Sequence, residues 1–392
     1  MRLDRLTIYD FRNFKRVEVQ LQPRINFFLG ENGQGKTNFI EAVHLLSRGV
    51  SFRPVDSQNF LRLQGLEQAK ITGILNSGQL EYSVSLLLEP GRRSATVNGK
   101  RANSATLMSL FPIVLFSPES LSAIKEGPDQ RRQLIDEILI SHDPRQGHLL
   151  REHQRALKAR NRLLKNISEK LDSTPDHLDS LESLNKIYFL LSTHLASARI
   201  KALKDIEPFF RDAMAFIMGD THEDIAVDYS ISGESALKWS DSLIFEALQK
   251  RHRSLVNQEL AYGSSLVGPH KHDIRILFAG NDSRFYCSQG QQRALILAMK
   301  IAQIVYHHQA HQTYPVLLLD DVLSELDFKK RVSLMKFLEG ISAQILITST
   351  DLAWSDQIGF DHNSIFTVKA GEITRVDESF GKMPESGDQI LG

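Results

Sequence analysis

The chain has 392 residues, with 47 lysines and arginines balanced by 47 aspartates and glutamates, and one cysteine, Cys287. Balanced charge removes any whole-molecule attraction to nucleic acid or anionic membrane, so such binding has to come from a local patch. A single cysteine excludes a disulfide within the chain and fits a reducing cytoplasm. Residues 1–7 are charged throughout and lack the apolar core of a signal peptide. No window approaches the ~18 apolar residues of a membrane helix. The expectation is a soluble cytoplasmic protein of two or three domains with no membrane partner.

Residues 3–8 and 17–21 read as strands on either side of Phe11-Arg12-Asn13-Phe14, and 25–29 as a buried strand. Then come Gly30-Glu31-Asn32-Gly33-Gln34-Gly35-Lys36-Thr37 and a stretch of helical spacing over 38–46. Strand, glycine-rich loop and helix are the setting in which G-x-x-x-x-G-K-[ST] binds phosphate. The glycines let backbone N–H groups turn inward, and the helix N-terminus adds positive potential. Lys36 can reach the β- and γ-phosphates and the Thr37 hydroxyl can bind Mg²⁺, so a nucleoside triphosphate is the expected ligand. Residues 71–97 are strand-like, Asn98-Gly99 marks a hairpin, and 113–116 is a short buried strand stopped by Ser117-Pro118-Glu119.

The pattern then turns helical. Leu150, Leu157, Leu164 and Leu171 fall seven apart. After a turn around Pro175, the series Leu181, Leu184, Tyr188, Leu191, Leu195, Ala198, Ala202 alternates steps of three and four. Apolar seams of this kind are packing stripes and predict an antiparallel helical hairpin. Along its first helix Arg151, Arg155, Lys158, Arg162 and Lys165 share one face, with Arg160 nearby and Glu152 the only acid in the stretch. Such a row offers phosphate contacts to DNA, or is a solvated helix face. Arg131 and Arg132 are a second candidate pair, with an internal salt bridge as the alternative.

Residues 224–231 are expected as strand, 240–262 as helix, and 274–278 as strand before a turn at 279–282. Helix 289–309, strand 316–320, helix 325–339 and strand 344–348 then alternate, the sign of a parallel sheet. The polar stretch from Asp377 is expected to fray. Strand 316–320 ends in Asp320-Asp321. Asp320 can hold Mg²⁺ opposite Thr37, and Asp321 can orient and deprotonate an attacking water. Ser288-Gln289-Gly290 is either a plain helix cap or a second anion site. His307 and His311 lack a third metal ligand and are expected at the surface, while Cys287 is expected as a small buried thiol.

In that order, the phosphate loop, Ser288-Gln289-Gly290-Gln291-Gln292-Arg293, the Asp320-Asp321 strand and Ser324-Glu325-Leu326-Asp327 resemble the head of ABC-type ATPases of the SMC-like group. Further stretches make the chain resemble, more closely, the RecF family of bacterial DNA replication and repair ATPases. They are Asp10-Phe11-Arg12-Asn13-Phe14, Phe116-Ser117-Pro118-Glu119, Gly127-Pro128-Asp129-Gln130-Arg131-Arg132 and Val267-Gly268-Pro269-His270-Lys271. The resemblance implies an α/β fold, an ABC-type P-loop ATPase head with an inserted helical arm. Residues 1–118 would carry the phosphate loop, 119–265 the arm, 266–376 the signature and the acid pair, and 377–392 a flexible tail.

It also implies an ATP-dependent homodimer with two ATP molecules between two copies. Ser288 and Gly290 of one copy, with Gln291 beside them, would meet the γ-phosphate held by the loop of the other. Asp327 would couple the two sites and Arg12 would touch the phosphates. The implied work is DNA binding in replication, recombinational repair and SOS induction, with slow, DNA-stimulated ATP hydrolysis. RecO and RecR would be the partners in placing RecA on gapped DNA.

Four positions depart from the wider pattern. Asp321 stands where many ABC ATPases have Glu, and Thr350 where they have a switch histidine. No Q-loop glutamine is evident, which leaves Glu119 as the metal-side candidate, and His272 replaces a common acid and is given no role. A transporter's nucleotide-binding subunit, an SMC-type clamp and a P-loop kinase are the rival readings. The arm argues against the first and is too short for the second.

Overall fold

A computed structural model of the protein describes residues 1–53, 60–62, 67–121, 124–125, 127–170, 175–219, 224–350 and 363–376. Leu171, the turn before Pro175 and the tail 377–392 lie outside the described residues. The chain divides into two compact units. One comprises Met1–Ser117, Pro315–Glu325 and Met335–Gly392, the other Pro118–Tyr314 and Leu326–Leu334. Residues 266–314, placed by the resemblance with the ATPase head, therefore group with the helical residues.

The first unit opens with β1 (Arg2–Phe11), β2 (Phe14–Gln20), β3 (Ile25–Leu29) and α1 (Lys36–Arg48). β4 (Ala69–Ser77), β5 (Leu80–Glu89), β6 (Arg92–Val97), β7 (Lys100–Ala102), α2 (Ser104–Leu110) and β8 (Ile113–Phe116) follow. The antiparallel strands form a six-stranded sheet in the order β2-β1-β4-β5-β6-β7. Alternation puts Leu6 and Ile8, Ile71 and Leu75, and Val84, Leu86 and Leu88 on its dry face. Asn98 (φ 49) and Gly99 (φ 76) are both left-handed, as a two-residue hairpin of this twist requires.

The second unit contains α3 (Pro118–Leu121), α4 (Pro128–His142), α5 (Gln146–Lys170), α6 (Pro175–Met218), β9 (Ile225–Ile231) and β10 (Glu234–Ser235). It continues with α7 (Asp241–Tyr262), β11 (Asp273–Phe278), β12 (Asn281–Asp282), α8 (Ser283–Tyr286) and α9 (Gln289–His311). The 44-residue α6 packs on α4, α5, α7 and α9, so its buried face is broader than the expected seam. Phe189, Ala196, Ile200 and Leu203 join Leu181, Tyr188, Leu195 and Ala202 inside.

Three sets of basic side chains lie inside this unit. Arg160 is fully buried: at about 100° per residue it stands half a turn away from Arg151, Arg155, Lys158, Arg162 and Lys165. It donates to both carboxylate oxygens of Glu259 on α7 (2.9 and 2.7 Å), to Asn185 on α6 (2.7 Å) and to Ser265 (2.7 Å). Arg131 and Arg132 are also buried, and of the two readings the salt bridge holds. Arg131 forks onto Asp273 (2.9 and 3.1 Å), and Arg132 pairs with Asp129 and donates to the His272 carbonyl at 2.6 Å. His307 lies inside rather than at the surface, with Nδ1 2.7 Å from the Ser141 carbonyl, because α9 packs that face on α4. Cys287 is buried as expected, and His272 sits inside against the Tyr229 hydroxyl (2.9 Å).

The chain closes with β13 (Val316–Asp320), α10 (Val322–Glu325), α11 (Phe328–Gly340), β14 (Ile345–Ser349), β15 (Asn363–Lys369) and β16 (Glu372–Val376). The helix expected over 325–339 begins only at Phe328, and β15 and β16 have no counterpart among the expected elements. The second sheet of the first unit runs β16-β15-β3-β14-β13-β8, parallel except for β16. β3, β8, β13 and β14 are buried along their whole length, as parallel strands covered on both faces are. Parallel pairing sets the carboxyl ends of β3, β13 and β14 side by side, the edge at which α/β sheets build ligand sites. No helix of the described residues is long and apolar enough to cross a membrane.

Candidate nucleotide site

At the end of β3 the backbone turns through the glycine-rich loop into α1. A Cβ at Gly30 would stand 2.3 Å from the carbonyl oxygen of Val368 on β15. Gly35, at φ 119, caps α1, and a Cβ there would meet the Asn13 amide at 2.6 Å. Only glycine fits either position. Gln34 anchors the loop. Its carbonyl accepts from Asn13 Nδ2 (2.8 Å) and from the Gly371 N–H (3.1 Å), and its Oε1 accepts from the Ala370 N–H (2.7 Å). The β1–β2 turn and the β15–β16 hairpin thus grip it from two sides.

Lys36 is 3% exposed, and its Nζ donates to the carbonyls of Gly30 (2.7 Å) and Glu31 (3.1 Å) and lies 3.9 Å from Asp321 Oδ2. A cleft of ≈ 150 Å³ opens here. It is lined by Asn32, Gly33, Gly35, Lys36, Thr37 and Asn38, with Arg53 and Asp321. Backbone and side-chain donors facing one polar cleft suit a multiply charged phosphate chain.

The acid pair meets this loop. Asp320 is 3% exposed, and its Oδ1 accepts from the Thr348 hydroxyl at 2.9 Å. Burial lifts its carboxyl to about 6, although hydrogen bonds from Thr348 and Thr37 favour the ionised form. Asp321 adopts a left-handed backbone (φ 50), and its N–H donates to the Thr348 hydroxyl at 2.9 Å. The Thr37 hydroxyl and the Asp320 carboxylate are hard oxygen donors, and Thr37 favours the ionised form of Asp320. They fit Mg²⁺, which takes one or two protein ligands and fills its octahedron with phosphate oxygens and water. Among the described residues no cluster of three His, Cys, Asp or Glu offers an all-protein cage.

Arg12, expected on the phosphates, is seated on Glu41 of α1, with Nε 2.9 Å from Oε2 and Nη2 2.8 Å from Oε1. The buried Glu41 also accepts from Ser51 (2.5 Å) and lies 3.7 Å from Arg53. Arg53 donates to Asn38 (3.0 Å), which in turn donates to Asn13 (2.8 Å). Thr350, expected in place of the switch histidine, is exposed beyond β14; Thr348 is the threonine that touches the acids. Of the residues that pattern-reading missed, namely Asn13, Asn38, Glu41, Arg53 and Thr348, only Asn13 lies in a stretch that carries the family resemblance.

The remaining candidates belong to the second unit. Ser288 caps α9 in a reciprocal box: its hydroxyl accepts from the Gln291 N–H (3.3 Å) and Gln291 Oε1 accepts from the Ser288 N–H (2.8 Å). Gly290 follows on the first turn, open enough that a Cβ would come no nearer than 3.7 Å to Lys330 Nζ. Lys330 pairs with Asp327, and this hydrogen bond holds the Asp327 carboxyl below its usual range. Glu119 is exposed on α3. Arg155, Lys158, Arg162 and Lys165 are exposed on α5 and Arg151 is half-buried. Arg155 pairs with Glu152 (2.7 Å) and Lys165 with Glu169 (3.5 Å).

Residues 2–372 match the family described as the RecF/RecN/SMC N terminal domain. The chain is 33% identical over 385 residues to the DNA replication and repair protein RecF of Heliobacterium modesticaldum, covering 96% of this chain and 100% of that relative. It is similar to a solved structure of the recombination mediator protein RecF with ATP, in the RecFOR pathway. There the TM-score is 0.82 at 29% identity, over 95% of this chain and 97% of the other. An Smc head domain from Pyrococcus furiosus shares the fold, with a TM-score of 0.53 at 16% identity over 95% of each chain.

Proposed function

This chain belongs to the RecF family, and from that premise we propose that it is an ATP-dependent DNA-binding protein of replication, recombinational repair and SOS induction in the cytoplasm. The observation that carries the reading is the assembly at the strand ends. Thr37 favours the ionised form of Asp320, and Asp321 Oδ2 lies 3.9 Å from Lys36 Nζ, beside a polar cleft. Residues 30–37 would cradle the phosphates of ATP through backbone N–H groups. Lys36 would exchange its carbonyl partners for phosphate oxygens, and Arg12 would touch the phosphates from its seat on Glu41. Thr37 and Asp320 would hold Mg²⁺, which would supply positive charge to offset the negative charge of the phosphates. Asp321 would orient the attacking water and take its proton. Its carboxylate sits on a chain one methylene shorter than glutamate, which suits slow hydrolysis.

Ser288, Gly290 and Gln291 of one copy would meet the γ-phosphate held by a second copy, with Asp327 coupling the two sites. Only intact triphosphate would bridge both surfaces, so ATP favours the dimer and hydrolysis releases it. The α5 row of Arg151, Arg155, Lys158, Arg162 and Lys165 would contact DNA phosphates without reading sequence. DNA would stimulate a weak ATPase, and RecO and RecR would be the partners at gapped DNA.

The test is the oligomeric state, with ATP, ADP and DNA, of the wild type and Ser288→Arg. The wild type should dimerise with ATP and not ADP, and Ser288→Arg should bind ATP yet stay monomeric. A mutant that dimerises like the wild type would remove the two-copy site.

A further inference from the structure

The register of β13 on β14 ends at the pair Asp320–Thr348. Beyond it the backbone of Asp321 leaves the sheet at φ 50, so its N–H has no ladder partner on β14; the Thr348 side chain supplies one at 2.9 Å. The same hydroxyl has one proton to give. Asp320 Oδ1 lies at 2.9 Å and the Leu319 carbonyl at 3.4 Å, so the carboxylate is the nearer acceptor. One oxygen, fully buried, therefore takes a hydrogen bond from one acid's backbone and gives one to the other acid's side chain.

We propose that Thr348 is the positioning residue of this site, a single hydroxyl that fixes the carboxylate of Asp320 and the backbone turn of Asp321 together. The inference rests on the ATPase reading above. The left-handed backbone at Asp321 is one that an L residue avoids without support. This turn carries the Asp321 carboxylate toward Lys36. With the hydroxyl gone, Asp320 loses the donor that holds it facing Thr37, and Asp321 is free to relax away from the cleft. Thr348 itself would touch neither nucleotide nor water.

The experiment compares full-length wild type with Thr348→Val, which keeps the shape and removes the hydroxyl, and with Thr348→Ser, which keeps it. Calorimetry gives ATP affinity without metal and across a Mg²⁺ titration, and steady-state kinetics gives kcat. Thr348→Val should bind metal-free ATP within about threefold of wild type, need more Mg²⁺ for tight binding, and lose about ten- to hundredfold in kcat. Thr348→Ser should recover both readouts to within about threefold. If Thr348→Val does not fold, Thr348→Ala set against Thr348→Ser makes the same comparison at nearly equal size, with the same expected difference. A Thr348→Val protein that loses only melting temperature, or a Thr348→Ser protein as impaired as Thr348→Val, overturns the proposal while leaving the ATPase reading intact. A wild type that neither binds nor hydrolyses ATP overturns both.

Discussion

Replacing Arg160 by methionine removes a charge from the best-buried ion pair of the second unit while keeping most of the side chain's stem. The partner it leaves, Glu259, has no exposed surface. Breaking such a pair from one side costs about 3–5 kcal/mol, because the remaining charge has neither water nor a counter-ion. Here Glu259 retains two donors, the Leu266 N–H at 2.7 Å and His252 Nδ1 at 2.8 Å, which places the expected loss near the lower end, about 3 kcal/mol. Glu259→Gln should cost a similar amount, since Arg160 keeps Ser265 and Asn185. The double variant Arg160→Met, Glu259→Leu should cost less than the sum of its parts by about 2 kcal/mol or more. Hydrogen exchange resolved to peptides of α5 and α7 is the suitable assay, because a chain of two compact units does not unfold as one transition. Single variants within about 1 kcal/mol of wild type, or an additive double variant, would refute the assignment of Arg160 as the charge that ties α5 to α7.

Burial holds His153 at about 3 and His307 at about 4, below the ordinary 6.5. Both are neutral in the fold, so the unfolded chain binds more protons between those values. Stability should be at its full value above pH 6.5 and fall as pH drops from 6.5 toward 4, by up to about 1.4 kcal/mol per pH unit for each histidine. Thermal midpoints of the transition that exposes α5 and α9, followed from pH 7.5 to 5, check this, and His307→Gln should flatten the slope; an unchanged slope counts against His307 as a source. On α5, Lys158→Gln with Arg162→Gln should weaken DNA binding equally for all sequences. The salt slope should shrink by about 0.9 for each DNA phosphate no longer neutralised. Anisotropy titrations across salt measure it, and an unaltered slope would take the row out of the DNA surface.

Local chemistry was readable from sequence; pairing at a distance was not. The phosphate loop, the hairpin at Asn98-Gly99, the cap at Ser288 and the buried strand ending in Asp320 each write their reason into a few neighbouring residues. Arg12 read as a phosphate ligand, and nothing local marks Glu41, 29 residues on, as the acid that seats it. Thr350 drew attention by its place in a motif, yet strand register brings Thr348 to Asp320 across 28 residues. Arg160 sat in a run of basic residues and only its angular position on α5 separates it from them. Its acid lies 99 residues away on another helix. β15 went unseen because its pairing with β3 joins opposite ends of the sequence, and β16 is the hairpin return on its outer edge.

That last pairing bears on synthesis. The loop is synthesised within the first tenth of translation, but two of the hydrogen bonds that steady Gln34 come from Ala370 and Gly371, and the wall against Gly30 is Val368. A growing polypeptide still lacking those residues has a glycine-rich segment held from the Asn13 side alone. Competence for nucleotide should therefore arrive late in the life of each molecule.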